Sequence, residues 1–270
     1  MELKIEKFNL SKIADDATVV VAAPRKSGKS VLAREILYYK RDIPVGVVIS
    51  GTEQMNKFYQ AFVPKQFIHY KYSRELIANL LKRQKKIVKS YQKEIKQYGS
   101  SRIDPRFFLV LDDFSSDNKF TRHPEFITLF ERGRHYHMFI LCIINSPKVI
   151  TTTIRDNTDY VITFSIPNYN MKERLYSAYG ITPTKQMFYK ILDSVTGDYG
   201  CLVMNPLSKQ NALNKKLFWY KANFPPKFKI GDMQFWNDQP DSSDDDDEFD
   251  VRHFESKSKT PFTVKKLEFN

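Results

Sequence analysis

The sequence predicts an α/β fold with a central, mostly parallel sheet flanked by helices. Two observations lead to this prediction. Short apolar, β-branched runs alternate with longer helical patterns, which is typical of parallel strands joined by helical crossovers. Hydrophobic residues make up 41% of the 270, enough for one sizeable core. We expect one folded domain over residues 1–237, followed by an acidic, disordered tail over residues 238–270.

The predicted elements alternate along the chain. The strands are short runs rich in β-branched and aromatic residues: Thr18–Ala23, Val45–Ser50, Phe107–Leu111, Phe139–Ile144, Tyr160–Phe164 and Cys201–Met204. The helices have apolar residues at helical spacing: Lys29–Tyr39, Arg74–Tyr98, Pro124–Arg132, Asn170–Tyr179 and Thr184–Val195. The longest helix has an apolar stripe that is expected to face the core: Leu76, Ile77, Leu80, Leu81, Ile87, Val88, Tyr91, Ile95 and Tyr98.

The composition argues against a membrane-spanning or secreted protein. The longest apolar run, Phe139–Ile144, is far shorter than the ~20 residues that span a bilayer. Residues Met1–Lys12 mix charges with apolar positions and lack the apolar core of a secretory signal. The two cysteines, Cys142 and Cys201, lie in strand-like runs, as reduced and buried thiols do. We therefore expect a soluble, non-secreted protein.

Charge is distributed unevenly along the chain. The net charge is +12, yet residues 238–250 contain eight acidic residues and no basic ones. The rest then has 43 basic against 23 acidic residues, a net charge of +20. Such an excess favours a polyanionic partner such as nucleic acid, although it also favours simple solubility. Three interpretations of the acidic run stay open: a solubilising segment, a DNA mimic and, together with residues 251–270, a peptide that docks onto another protein.

A phosphate-binding loop follows the first predicted strand. Residues 23–30 read APRKSGKS, which matches the pattern GxxxxGK followed by Ser or Thr at every position except the first. Backbone N–H groups of such a loop and of the following helix cradle the β-phosphate of ATP. Lys29 would reach the β- and γ-phosphates and Ser30 would bind Mg²⁺. The expected nucleotide-binding residues are Arg25, Lys26, Ser27, Gly28, Lys29 and Ser30.

Two adjacent acids end the third predicted strand. The apolar run Phe107–Leu111 leads directly into Asp112 and Asp113. Acids at the carboxyl end of a parallel strand lie where α/β proteins bind their ligands. We expect Asp112 to hold Mg²⁺, directly or through water, and Asp113 to orient and polarise the attacking water. Asp117 is a weaker competitor for these roles.

Three arginines and one asparagine are further catalytic candidates. Arg132 and Arg134 flank Gly133 at the predicted end of a helix. In ring ATPases an arginine of one subunit reaches the γ-phosphate held by its neighbour, and Arg134, then Arg132, would fill this role. The alternative is that both arginines only stabilise the helix end. Asn145 ends a strand and could hydrogen-bond the γ-phosphate or the water, and Arg155 is a second candidate for a nucleotide or subunit contact.

The longest predicted helix has a surface of one charge sign. From Lys82 to Tyr98 its basic residues are accompanied by a single acid, Glu94. Like charges one turn apart repel by about 0.2–0.5 kcal/mol, so this pattern indicates a partner of negative charge, with a merely solvated face as the alternative. The candidate DNA-binding residues are Lys82, Arg83, Lys85, Lys86 and Lys89.

These residues, in this order and spacing, resemble the genome-packaging ATPases of nucleocytoplasmic large DNA viruses, in the FtsK–HerA superfamily. The similarity covers roughly residues 5–232 and is strongest toward the iridovirus and phycodnavirus branch. It includes several segments: Val48–Glu53, Asn56–Phe58, Phe67–His69, Leu109–Asp113, Gly133–His135, Arg155–Tyr160 and Phe218–Ala222. The resemblance implies a P-loop NTPase fold of the RecA/FtsK-like additional-strand type, with strand order 5-1-4-3-2.

The sequence departs from the pattern of this family at four places. Ala23 replaces the first glycine of the phosphate loop, and Glu131 replaces an asparagine near Gly-Arg-His. Asn145 stands where the family usually has a glutamine, which is a longer version of the same amide. Thr151–Thr153 replace a Pro-Pro pair. The departure at Asn145 affects the expected contact with the γ-phosphate.

The resemblance implies an ATP- and Mg²⁺-dependent motor that moves double-stranded DNA into a capsid. Its subunits would form a homo-oligomeric ring of five or six, with a capsid or portal component as partner, in the viral factory of the host cytoplasm or in the virion. The alternatives are another DNA-dependent ATPase, such as a helicase or strand-exchange factor, and a small-molecule phosphotransferase, in which the basic helix has no role. A non-catalytic nucleotide-binding scaffold is disfavoured because Asp112 and Asp113 are both present.

Overall fold

A nine-stranded sheet lies at the centre of the fold. The computed structural model of the chain describes residues 3–113 and 120–237. The strands are β1 (Glu6–Lys7), β2 (Thr18–Ala22), β3 (Val45–Ser50), β4 (Ile68–His69), β5 (Phe107–Asp112), β6 (Met138–Ile144), β7 (Tyr160–Thr163), β8 (Gly200–Met204) and β9 (Leu217–Lys221). The α-helices are α1 (Lys29–Tyr39), α2 (Glu53–Asn56), α3 (Arg74–Tyr98), α4 (Pro124–Arg132), α5 (Thr152–Asp156), α6 (Tyr169–Tyr179), α7 (Lys185–Val195) and α8 (Gln234–Asn237).

The strands lie in the order β1-β9-β8-β7-β2-β6-β5-β3-β4. Within this sheet only β8 runs antiparallel, to β7 on one side and to β9 on the other. The central five strands, β7-β2-β6-β5-β3, have the predicted order 5-1-4-3-2. The parallel strands therefore share one carboxyl edge, at which β2, β5, β6 and β7 all end, and one amino edge, at which they begin.

Helices and short helical turns bury both faces of the sheet. On one face, α1 packs through Leu32 and Ile36 beside a turn that contains Phe62. On the other face, α3 packs through Ile77 and α4 through Phe126, with α5, α6 and α7 beside them. Because both faces are covered, β2, β6 and β8 are buried along their whole length. This explains why these strands read as unbroken apolar runs rather than as alternating patterns.

The predicted strands and helices are present, within a few residues at their ends. The sheet is wider than predicted, because β1, β4 and β9 were not among the predicted strands. Helices α2, α5 and α8 are also additions, and at four or five residues each they are too short for a periodic signal. Among the described residues, no helix combines the length and the apolar composition that a bilayer crossing requires.

One part of the predicted apolar stripe on α3 is wrong. Ile77 and Val88 are buried as expected, but Ile95 is 39% exposed and Tyr98 is 69% exposed. Helix α3 has 25 residues and is about 37 Å long, whereas β5, with six residues, is about 20 Å long. The last turns of α3 therefore extend past the amino edge, where the sheet no longer lies beneath them.

A network of charged and polar side chains closes the amino edge. Lys40, only 3% exposed, donates hydrogen bonds to the carbonyl of Ile13 and, at 2.8 Å, to Asp15. Arg106 donates to the other oxygen of Asp15 at 2.8 Å and to Asp104 at 2.7 Å. The buried ammonium and the guanidinium thus both have carboxylate partners, which ties the chain before β2 to the start of β5.

Candidate nucleotide site

The loop between β2 and α1 has the geometry that a phosphate-binding loop requires. Gly28 has φ 101° and immediately precedes the helix, a conformation that residues with a side chain rarely adopt. A Cβ at this position would also lie 3.3 Å from the ring of Phe164. Ala23 is fully buried and keeps a negative φ, so alanine fits where the family has glycine. Lys26 adopts φ 61°, so the loop itself is strained.

Lys29 is directed into its own loop. Its Nζ donates to the carbonyl oxygens of Ala23 at 2.8 Å and Pro24 at 2.5 Å. Burial lowers the pKa of Lys29, while the charges of Asp112 and Asp113 act to raise it. The lysine is thus held within electrostatic reach of both acids. This arrangement brings together the loop and the acidic pair that the sequence predicted separately.

The acidic pair lies at the carboxyl edge beside the loop. Asp112 is the last residue of β5 and pairs in register with Ile143 of β6, the strand next to β2. Its Oδ2 accepts a hydrogen bond from the Tyr59 hydroxyl at 2.9 Å. Burial raises the pKa of Asp112 to about 6, against the opposing effect of the Tyr59 hydrogen bond. The site therefore holds a carboxylate whose charge the protein compensates only in part.

Asp113 and Asn145 form a direct pair. Asp113 adopts φ 50°, an uncommon conformation that turns its side chain out of the strand direction. Its Oδ1 accepts a hydrogen bond from Asn145 Nδ2 at 2.6 Å. The two residues come from the ends of neighbouring strands, β5 and β6. The predicted water-activating acid and the predicted sensor amide are therefore in contact. Asp117, the weaker competitor, lies outside the described residues.

Two buried residues beside Asp112 were not among the predicted site residues. Tyr59 is 1% exposed and donates to Asp112. Glu53 is fully buried; one of its oxygens accepts from the backbone N–H of Gln60 at 2.9 Å, and the other has no partner. The only sequence signal was that Glu53 belongs to a segment shared with the family. Nothing in the sequence pattern indicates the hydrogen bond from Tyr59.

The donor set at the end of β5 fits Mg²⁺. Hard oxygen ligands are what this ion prefers, and the Asp112 carboxylate and the Ser30 hydroxyl supply them. A carboxyl group with a pKa raised to about 6 by burial gains from a nearby cation. Among the described residues no group of three or more acidic, histidine or cysteine side chains is placed so that it could hold a metal ion by itself. One carboxylate and one hydroxyl suit Mg²⁺, which keeps several waters and binds through one or two carboxylates and the phosphates.

The candidate arginines do not lie at this site. Arg134 precedes β6, so it is at the amino edge, where its Nη2 pairs with Asp159 Oδ1. Asp159 in turn accepts from the backbone N–H of Thr18, at the start of β2, at 2.8 Å. This ion pair raises the pKa of Arg134. Arg132 is exposed two residues earlier, and Arg155 pairs with the adjacent Asp156 at 2.8 Å.

A cleft opens on the other side of the phosphate loop. It has a volume of about 530 Å³ and lies between the loop, the end of β7 and the start of β8. Its walls are Pro24–Ser27, Phe164, Ser165, Pro167 and Thr196–Gly200. A second cleft, of about 330 Å³, lies beside Asp112 and Asp113, between the ends of β3 and β5 and the start of α3.

The candidate DNA-binding residues divide into two groups. Lys82, Lys85, Lys86 and Lys89 are exposed on α3, as predicted. Arg83 is exposed as well, but its guanidinium lies 5.6 Å from the centroid of the Phe107 ring, and it donates to the Gln84 side chain at 3.0 Å. Burial lowers the pKa of Arg83. Because Arg83 packs against the start of β5, it is less available to an external partner than the four lysines.

The strand order and the loop between β2 and α1 define this fold as that of a P-loop NTPase. The genome packaging NTPase B204 from Sulfolobus turreted icosahedral virus 2, in complex with AMPPCP, is similar at a TM-score of 0.53 and 15% identity. The match covers 78% of this chain and all of that one. The pCW3 conjugation coupling protein TcpA is similar at a TM-score of 0.53 and 16% identity, over 78% of this chain and 61% of that one.

Sequence comparisons define the family. The model of the Poxvirus A32 protein family matches residues 27–199. An uncharacterised protein of Acanthamoeba polyphaga mimivirus is 34% identical over 236 residues, 87% of this chain and 82% of that protein. An uncharacterised protein of Invertebrate iridescent virus 3 is 34% identical over 216 residues, 77% of this chain and 78% of that one. The chain belongs to the Poxvirus A32 protein family, and the expected kinship with large DNA viruses is confirmed.

Proposed function

We propose that this protein is an ATPase that drives double-stranded viral DNA into a capsid. The observation that carries the proposal is the meeting of three strand ends. The loop lysine Lys29 follows β2, Asp113 follows β5, and Asn145 follows β6, all at one edge of the sheet. Membership in the Poxvirus A32 family and the fold shared with a viral genome packaging NTPase support the same proposal.

Within one subunit, the proposed roles follow from the position of each group. The backbone N–H groups of Arg25–Gly28 and of the first turn of α1 would bind phosphate oxygens. Lys29 would exchange its two loop carbonyls for the β- and γ-phosphates. Ser30 and Asp112 would hold Mg²⁺, which neutralises charge on the phosphates when bound. Asp113, positioned by Asn145, would accept the proton of the attacking water, a contribution typically of about 10²–10⁴-fold to the rate.

Completion of the site is proposed to require a second subunit. Arg134 lies at the amino edge, and the phosphate loop lies at the carboxyl edge, so one chain cannot bring them together. In a ring in which the amino edge of one copy faces the carboxyl edge of the next, Arg134 would reach the neighbour's γ-phosphate. An arginine supplied in this way stabilises the charge that develops during phosphoryl transfer. A ring of five or six copies remains our expectation.

The proposed DNA contacts are the exposed lysines of α3. Lys85, Lys86 and Lys89 lie beyond Gln84, whose amide donates to the carbonyl oxygen of Tyr136, next to β6, at 2.8 Å. The contacts would therefore be made at the amino edge, by electrostatic attraction to phosphates rather than by reading bases. A helicase or strand-exchange ATPase would use the same surface and stays the second candidate. A capsid or portal component is the further partner that packaging requires.

ATP hydrolysis with and without double-stranded DNA tests the proposal. The full chain should hydrolyse ATP, DNA should raise the rate, and Asp113→Asn should remove at least about 10²-fold of it. Asp193→Asn is the matched control, because Asp193 on α7 pairs with Lys172 on α6, away from the site. Turnover that ignores DNA favours a small-molecule phosphotransferase. Nucleotide binding without any turnover favours a scaffold. Strand separation by the full chain would select the helicase interpretation.

A further inference from the structure

The strand order determines where the base of a bound nucleotide must lie. The phosphate loop follows β2, which lies between β7 on one side and β6 on the other. The acidic pair and Asn145 are on the β6 side, so the γ-phosphate points there. The nucleoside end must then lie on the β7 side, where the cleft of about 530 Å³ borders the loop. This inference rests on the proposed nucleotide-binding function.

The far wall of this cleft is a short loop held in a strained conformation. Asp198 and Tyr199, just before β8, adopt φ 47° and 57°, and two consecutive non-glycine residues with positive φ are rare. The loop is closed by a hydrogen bond of 2.8 Å from the N–H of Gly200 to the carbonyl of Gly197. Asp198 also pairs with Lys221 of β9 at 2.5 Å. These contacts give the following tyrosine a fixed position.

That tyrosine presents its ring to the cleft beside the phosphate loop. Tyr199 is 65% exposed, although large aromatic side chains usually bury most of their surface. A Cβ on Gly28 would lie 3.5 Å from Tyr199 Cδ1, so the ring borders the loop where the triphosphate would begin. Phe164 and Pro167 line the same cleft and are apolar. An exposed ring that a constrained backbone presents to a nucleotide cleft is suited to stacking.

We propose that Tyr199 is the platform on which the base of the bound nucleoside triphosphate stacks. Stacking accepts any base, because every base has an aromatic face, and larger rings gain more contact. The ligand class is therefore a nucleoside triphosphate with a purine base favoured over a pyrimidine. The strain in the loop has a function under this proposal, since it holds the backbone that presents the ring to the cleft.

Two ligands that differ only in the base and sugar test the proposal. Dissociation constants of the full chain for ATP and for inorganic tripolyphosphate are measured by displacement of a fluorescent ATP analogue. Tyr199→Ala should weaken ATP about tenfold to a hundredfold and leave tripolyphosphate within about twofold. Tyr199→Phe should behave as the wild type, because it keeps the ring. Tyr169→Ala is the matched control, being a tyrosine on α6 that is 60% exposed.

Other results would contradict the stacking role of Tyr199, the preference for purines or the nucleotide-binding function itself. If Tyr199→Ala weakens both ligands equally, the loop only supports the phosphate loop, and the stacking role is wrong. If it weakens neither, or if pyrimidine and purine nucleotides bind equally to the wild type, the proposed platform is wrong while the nucleotide site stands. If the wild type binds neither ATP nor tripolyphosphate, and Lys29→Ala changes nothing, the proposed function itself fails. Unchanged thermal unfolding of the variants shows that they fold.

Discussion

The two edges of the same sheet are constructed in opposite ways. At the carboxyl edge, Lys26, Asp113 and Tyr199 all have positive φ, and buried oxygens of Ser27 and Glu53 have no partner. At the amino edge His137 also has a positive φ, but the buried and half-buried charges there are paired, from Lys40 to Arg106. Strain and unsatisfied polar groups cost stability, and persist where the surrounding structure holds them for a ligand. The comparison favours nucleotide binding at the carboxyl edge, called the binding edge below, and a structural role for the paired charges of the amino edge, called the stabilising edge.

Arg134 is the exception that makes the comparison informative. It lies on the stabilising edge, with Asp159 as its partner, yet 59% of its side chain is exposed. A surface ion pair of this kind contributes about 0–1 kcal/mol to folding. Its position therefore has little effect on the stability of its own chain. If Arg134 takes part in hydrolysis, it does so at the binding edge of another copy.

The largest expected effect comes from Arg134 itself. Arg134→Ala should lower ATP turnover by about 10³-fold or more, because it removes the charge that stabilises the transferred phosphoryl group. Binding of ATP to the free chain should be retained. Mixing Arg134→Ala with Lys29→Ala should restore part of the activity. At an interface between the two variants, the Arg134→Ala subunit supplies an intact Lys29 and its neighbour supplies an intact Arg134. Turnover and nucleotide binding are measured on each variant and on the mixture.

Arg174→Ala is the control: Arg174 is an exposed arginine on α6, and its replacement should leave turnover unchanged. A full loss in Arg132→Ala with little loss in Arg134→Ala would transfer the role to the other arginine. If mixing restores nothing while both variants still assemble, Arg134 does not act in trans.

The next largest effect is expected at Tyr59, a buried group of the binding edge. Tyr59→Phe removes the hydrogen bond that the Tyr59 hydroxyl donates to Asp112, at 2.9 Å in the wild type. Loss of such a supporting partner typically costs about 10–100-fold in metal affinity or activity. Turnover is measured against Mg²⁺ concentration, with Tyr176→Phe on α6 as control. A turnover loss no greater than that of the control would mean that Tyr59 only packs.

Asp15 tests the stabilising edge. Burial alone would raise the pKa of Asp15, but hydrogen bonds and charge from Lys40 and Arg106 outweigh it and lower that pKa below 3.8. A depressed folded-state pKa means that the carboxylate stabilises the fold above the unfolded-state pKa. That stability is lost as the pH falls through the folded-state pKa. Because Asp15 is 39% exposed, Asp15→Asn should cost only about 1–2 kcal/mol of unfolding free energy at pH 7.

Urea unfolding at two pH values measures this effect. The difference between wild type and Asp15→Asn should shrink as the pH falls from 7 to below the unfolded-state pKa, because the wild-type carboxylate then loses the stabilisation that it provides at pH 7. ATP turnover at neutral pH should not change. A difference in stability that is the same at both pH values would show that packing, rather than charge, accounts for it.

The smallest expected effect concerns Ala23, at the start of the phosphate loop. Because Ala23 is fully buried and keeps a negative φ, glycine would only add freedom to the unfolded chain and remove a buried methyl group. Ala23→Gly should therefore lower the unfolding free energy by about 1 kcal/mol. Denaturant unfolding measures it. A more stable variant would mean that alanine is strained at this position, so that the strained residues of the binding edge would include Ala23.

The sequence was sufficient for the central part of the fold. Strands such as β2 show in local patterns because a strand buried on both faces is apolar throughout. Helices such as α1 show as apolar residues at helical spacing. The loop and the acids Asp112 and Asp113 could be assigned to one edge, because both directly follow parallel strands. The same reasoning could have separated Arg134 from the site, since a residue that precedes a parallel strand lies at the opposite edge.

Contacts between distant segments could not be predicted. Tyr59 and Asp112 are 53 positions apart in the sequence, and no local pattern links a turn after β3 to the end of β5. Helical periodicity gave the buried side of α3 but not the point at which the sheet ends, so Ile95 and Tyr98 were misassigned. The position of Tyr199 depends on two successive unusual backbone conformations, which sequence patterns signal only through the flanking glycines.

The two outermost strands have a consequence for how copies of this chain can meet. Strands β1 and β4 are each two residues long, so the sheet offers another chain hardly any free backbone for β-augmentation. The exposed charges of Glu6 and Lys7 further discourage pairing on one side. Intermolecular sheet extension, and the aggregation that follows from it, are therefore suppressed, and a ring of the kind proposed above would have to be built from loops and helices at the ends of the strands.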